Sequence, residues 1–95
     1  MITQSQLMTL ARQADEDVFS WASFVAQTEL LWQDTTLVPD ACAWQALWFE
    51  LEIVNALALA EWDEHGRPVD WADCWREGYK QQAQGLLAAL LKLIS

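Results

Sequence analysis

Eight positions, Leu7, Ala11, Ala14, Val18, Trp21, Val25, Thr28 and Trp32, follow one another at an unbroken 4-3-4-3 spacing. All but Thr28 are apolar, and the period is that of one face of an α-helix. It predicts a single long helix over 5–33, with Ser5 as its N-cap. The acidic run Asp15, Glu16, Asp17 interrupts the composition but not the period. The alternative is a break at 14–17, with Asp15 capping a second helix. Phe19 and Phe24 lie off the stripe on its two flanks.

The stretch from Ala41 to Trp62 is patterned differently. Its polar residues are Gln45, Glu50, Glu52, Asn55 and Glu61. On a helix, Gln45, Glu52 and Asn55 fall in one seam with Ala41, Trp48 and Leu59, and Glu50 and Glu61 fall roughly opposite. A helix apolar nearly all round is expected to be covered on several sides, so this is the predicted central helix, 40–62. In the connection before it, Thr36 is the expected N-cap, with Pro39 in the first turn and Asp40 at the positive end of the dipole. In the connection after it, Gly66 suits the left-handed position past a helix end and Pro68 prevents continuation. A hairpin turning at His65-Gly66 is the other reading, disfavoured by the long helical patterns on both sides.

Asp70 is the expected cap of a last helix, 70–94. Its core stripe is Ala72, Trp75, Tyr79, Leu86, Leu90 and Leu93. A second stripe, Cys74, Gly78, Gln81, Gly85 and Ala88, is small. Two glycines seven apart on one helix face predict a close approach by the first helix or by a second copy of the protein, since each Gly costs a helix interior about 1 kcal/mol relative to Ala. No strand-like run occurs. The fold expected is all-α: a single helical domain over 1–95, an up-down-up bundle of three long helices, or four if the first breaks. Short connections make successive helices antiparallel neighbours. Trp32 should then lie near Trp44, and Trp62 should face Trp71.

Composition changes this picture in one respect. The chain is 54% hydrophobic with seven Trp, more than 95 residues are expected to hide in one core. Excess apolar surface predicts a homodimer or a standing partner. The polar seam of Gln45, Glu52 and Asn55 would then fix register or assembly, as polar seam residues do in coiled coils.

Charge narrows the choice of partner. Formal net charge is −9, and residues 1–65 hold 11 acids against Arg12 alone. Such a surface repels nucleic-acid phosphates and anionic lipid, which argues against direct nucleic-acid or membrane binding, and it steers basic proteins inward. The acids cluster at Asp15, Glu16 and Asp17 and at Glu61, Asp63 and Glu64, the expected partner-binding residues. Cys42 and Cys74 lie far apart among apolar neighbours and read as buried free thiols of a reducing cytoplasm. The N-terminus has no signal-peptide pattern, and the apolar run at 85–94 is about half a membrane span.

No catalytic set emerges. His65 stands alone, and Glu61 four residues before it does not complete a metal site. Cys42 and His65 sit at opposite ends of one predicted helix, about 30 Å or more apart. Glu50 and Glu52 point to different sides of that helix. The three glycines, at 66, 78 and 85, form no phosphate loop. The i, i+4 pairs Trp44/Trp48 and Trp71/Trp75 fit core packing better than a cofactor box. The function expected is therefore a small acidic cytoplasmic interaction module, an adaptor, inhibitor or regulatory subunit, with no catalysis or cofactor. The alternative is a DNA mimic or an immunity or antitoxin-type protein that neutralises a basic nucleic-acid-binding partner.

Overall fold

The computed structural model describes residues 2–94, and within them the chain is an all-α bundle. Four helices follow in order: α1 (Gln4–Ala14), α2 (Val18–Thr28), α3 (Ala41–Glu64) and α4 (72–91). A 3-10 turn at Leu31–Gln33 precedes α3. α3, the expected central helix, is the long axis: its 24 residues span about 36 Å at 1.5 Å per residue, against a longest dimension of 42 Å.

The single helix expected over 5–33 is instead a helical hairpin, α1 and α2. Asp17, not Asp15, caps the second half: its backbone is extended and its carboxylate accepts the Ser20 N–H at 2.7 Å. A third element holds the break. The indole N–H of buried Trp75 donates to the Asp15 carbonyl at 2.8 Å, satisfying a group left free at the end of α1. The stripe survives the turn because both halves face the same core. Leu7, Ala11, Ala14, Val18, Trp21, Val25 and Thr28 are all buried. Phe24 is buried too, while Phe19 is half exposed, its ring edge-on to Trp62.

Three helix starts differ from expectation. Thr3, not Ser5, caps α1 in a full capping box with Gln6. Asp40, not Thr36, caps α3, and Pro39 therefore lies outside the helix. Asp34 takes the earlier role in that connection, accepting the Thr36 and Leu37 N–H groups. Asp70 accepts the Ala72 N–H, but α4 begins only at Ala72, and Asp73 pairs with Arg76.

α3 ends as expected at Gly66, whose φ is +86. The Gly66 N–H reaches the Asp63 carbonyl and the Arg67 N–H the Trp62 carbonyl, the two bonds of a Schellman motif. Arg67 is also left-handed, at φ +55, and its guanidinium pairs with Asp63. The rings of Trp62 and Trp71 pack on other aromatics, Trp62 on Phe19 and Trp71 on His65 and Tyr79. Each is tied to the turn between them, Trp62 donating to the Pro68 carbonyl and Trp71 to Nδ1 of His65.

α2 and α4 flank α3, both antiparallel to it. Trp21 donates to the Leu51 carbonyl and Trp48 to the Val25 carbonyl, while Tyr79 lies beside Leu57. Inside α4, residues Arg76–Lys80 form a π turn. The extra residue advances the buried face, so Ala83 and Leu87, with Leu90, are buried below Trp75, and Leu86 is only half buried.

The small stripe of α4 is open. Cys74, Gly78, Gln81, Gly85 and Ala88 are all exposed, and a Cβ added at Gly78 or Gly85 would meet nothing within 4 Å. No close approach within the chain explains these glycines. Gly85→Ala is therefore expected to raise stability by about 1 kcal/mol, a rise in Tm of about 4–8 °C for a domain this size. Thermal melting checks it. An unchanged or lower Tm would mean that Cβ is not accommodated there.

Candidate docking face

α3 is apolar on both its inward and its outward side, and only the inward side is covered. Trp44, Leu51, Val54 and Ala58 are buried. On the far side, Cys42, Ala46, Phe49, Ile53, Ala56 and Ala60 are all exposed. Their spacing is 4-3-4-3-4, so they form one continuous stripe along the helix. Leu57 widens it. Phe49 is 59% exposed and Leu57 57%, values that make this a contiguous apolar patch and not a scatter of single side chains.

Polar residues line both edges of the stripe. Gln45 and Glu52 run along one, Glu50 and Glu61 along the other, and Glu64 closes the C-terminal end. No lysine or arginine occurs on α3. Of the seam read from the sequence, Gln45 is exposed and Glu52 and Asn55 are half buried; the Asn55 side-chain oxygen is buried without a hydrogen-bond partner.

A cleft opens at the N-terminal end of the stripe. Its volume is about 300 Å³, and its lining includes Leu30, Trp32, Trp44, Trp48 and Phe49, with Glu29 and Gln45 on the polar side. Trp32 does lie near Trp44, as the short connection required. On the cleft wall Trp48 donates to the Val25 carbonyl at 3.1 Å and to the Thr28 hydroxyl at 3.2 Å. Trp44 is fully buried, and its indole N–H has no acceptor. Leu30, at the rim, is 60% exposed.

The two acidic clusters share the opposite end of the molecule. Phe19, the second residue of α2, packs on Trp62 near the end of α3, so Asp15, Glu16 and Asp17 lie at the same end as Glu61, Asp63 and Glu64. Not all are free to bind. Asp17 is the cap of α2 and Asp63 pairs with Arg67, both with partners in the chain. Glu16 and Glu64 are exposed, and Glu61 is half buried beside Tyr79. Burial, then the Glu61 and Glu64 carboxylates, hold the Tyr79 phenol above its ordinary value.

Both cysteines are exposed, contrary to the expectation of buried thiols. Each belongs to an apolar stretch of sequence, but to the outward side of its helix: Cys42 begins the stripe of α3 and Cys74 the small stripe of α4. Apolar sequence neighbours do not bury a residue when the covering element is missing.

Among the described residues no three His, Cys, Asp or Glu side chains lie together as metal ligands. His65 accepts from Trp71 and also stacks edge-on to it. A groove of about 620 Å³ between α1 and α2 is lined by Ile2, Ser5, Gln6, Thr9, Leu10 and Gln27, with no titratable group. Among the described residues no helix is long and apolar enough to cross a membrane. No family model, curated protein or solved structure matches the chain.

The outward stripe was hidden in the sequence. A helix apolar all round looks the same whether three sides are covered or two. The signal that separates them is the count of available neighbours: with α1 folded back on α2, only α2 and α4 remain to flank α3.

Proposed function

We propose that the protein is a non-catalytic interaction module, an adaptor, inhibitor or regulatory subunit, that holds a protein partner against the outward face of α3. The observation that carries this reading is the exposed stripe from Cys42 to Ala60 with Phe49, Ile53 and Leu57 at its centre. A contiguous apolar patch of this kind is a common mark of a protein interface, and the aromatic cleft beside it has the composition of a binding hot spot. Two exposed, unpaired thiols fit a reducing compartment, the cytoplasm.

The test compares the wild-type chain with Phe49→Glu/Ile53→Glu as baits in an extract of the source organism. Both sites are on the surface, so the helical circular dichroism should be unchanged. Proteins held through the face should be retained by the wild type and weakened by roughly 30-fold or more in the variant, the loss of at least one hot spot of ~2 kcal/mol. Equal recovery by both baits would place docking elsewhere.

The second reading, a DNA mimic or antitoxin-type neutraliser, draws support from the convergence of the two acidic clusters at one end. It predicts the reverse pattern. Glu61→Lys/Glu64→Lys would abolish capture and Phe49→Glu/Ile53→Glu would leave it intact.

A further inference from the structure

We infer that the occupant of the α3 face is an amphipathic helix of another protein, with lysine or arginine flanking its apolar stripe, and not a second copy of this chain. The inference rests on the reading that the outward face of α3 is the docking face.

Three observations converge on it. The first is spacing. A stripe at 4-3-4-3-4 is the pattern into which another helix packs side by side, knobs into holes. From Cys42 to Ala60 it runs about 27 Å at 1.5 Å per residue, some five helical turns. The second is the cleft. At about 300 Å³ it sits at the bottom of the range for a whole small molecule, a size better matched to one bulky apolar side chain. Gln45 and Phe49 border both cleft and stripe, so a helix in the stripe can place a side chain there.

The third observation is charge, and it decides between occupants. The stripe is edged by Glu50, Glu52 and Glu61, closed by Glu64, and faced at the cleft by Glu29; α3 offers no base. A copy laid antiparallel about a two-fold axis between Phe49 and Ile53 would set each Glu50 and Glu52 beside its own equivalents. A copy laid parallel sets Glu50 and Glu61 against the edge of Gln45 and Glu52 and brings no base of α3 either. Like charges facing across a helix seam disfavour the pairing, and opposite charges favour it. The complement is a helix with basic edges.

A synthetic peptide tests this directly. It has about 21 residues, ~32 Å as a helix, with leucine at the 4-3 positions, lysine at the flanking ones and a fluorescent label for use at nanomolar concentration. Its twin has glutamate in place of lysine. Binding is read by anisotropy. Position is read by iodoacetamide alkylation, because Cys42 lies in the stripe and Cys74 on the outward side of α4. The lysine peptide should bind at least roughly tenfold more tightly than its twin, and more weakly as salt shortens the screening length. It should slow alkylation of Cys42 and leave Cys74 unchanged. Phe49→Glu/Ile53→Glu should remove both effects.

Equal affinity for the two peptides, with Cys42 still protected, would overturn the basic-helix occupant and leave the docking face standing. So would failure of the lysine peptide to bind while the wild-type bait still retains proteins that the double variant loses. A protein that sediments alone as a dimer, and as a monomer when Phe49→Glu/Ile53→Glu, would make the second copy the occupant. Binding of the lysine peptide without protection of Cys42, or unaffected by the double variant, would overturn the docking face itself.

Discussion

Trp21→Ala is expected to cost about 3–5 kcal/mol, the range for truncating a fully buried Trp. A chain of 95 residues has a total stability of about 5–14 kcal/mol at 0.05–0.15 kcal/mol per residue, so this one substitution removes much of it. The reasons are local. Trp21 is wholly buried, lies 6.0 Å ring to ring from Trp75 and 6.3 Å from Phe24, and donates to the Leu51 carbonyl at 3.1 Å. It thus touches α2, α3 and α4 at once. Trp21→Phe keeps an aromatic ring but deletes the donor and part of the buried ring volume, and should cost about 1–3 kcal/mol, one buried hydrogen bond plus lost packing. Urea denaturation followed by circular dichroism measures both. A loss below about 1 kcal/mol for Trp21→Ala would contradict the packing described.

The second large effect is expected at Trp75→Ala, again about 3–5 kcal/mol for truncating a buried Trp, but with a local signature. Trp75 is the pin of the α1–α2 turn. It is fully buried, stacks on Tyr79 at 6.0 Å, and its N–H holds the Asp15 carbonyl across 60 residues of sequence. Without the indole, the carbonyl at the end of α1 loses its partner. The turn at 15–17 should then open ahead of global unfolding and become the first site of limited proteolysis. Cleavage first in the 65–70 turn, with 15–17 protected, would show that Asp17 alone holds the hairpin. Trp21 and Trp75 are in contact, so their effects should not add.

These two residues also mark how far the sequence could be read. The buried stripe from Leu7 to Thr28 was legible because a period of 3.6 records which side faces the core. It does not record whether the chain runs straight or folds back. At Ala14 and Val18 the four-residue step holds in both cases. What decides it is the Asp15 carbonyl bonded to Trp75, a contact with no trace in local pattern. The Schellman ending at Gly66 was legible, since only a residue tolerant of positive φ serves there. The caps were less so: Thr3 and Ser5, or Thr36 and Asp40, are all residue types that cap helices, and the choice between them depends on packing further along.

The outward face of α3 shows the same limit in reverse. Acid clustering was legible as charge, but not that Asp17 and Asp63 would find partners within the chain. The tryptophans were legible as core or hot spot. That Trp75 is spent inside while Trp32 and Trp48 border an open cleft follows from which helices are adjacent. Cys42 and Cys74 show it most simply: apolar composition on either side says nothing about the third dimension.

The π turn at 76–80 has a meaning in terms of chain editing. A one-residue insertion in a regular helix turns everything beyond it by about 100°. Here the surplus residue is absorbed within five. The two parts of α4 therefore share an axis but not a phase. Trp75 answers to the hairpin turn, and Ala83, Leu87 and Leu90 answer to α3. Each part can drift under its own constraints, and a deletion inside 76–80 would force the two back into a single phase that one set of contacts could not follow.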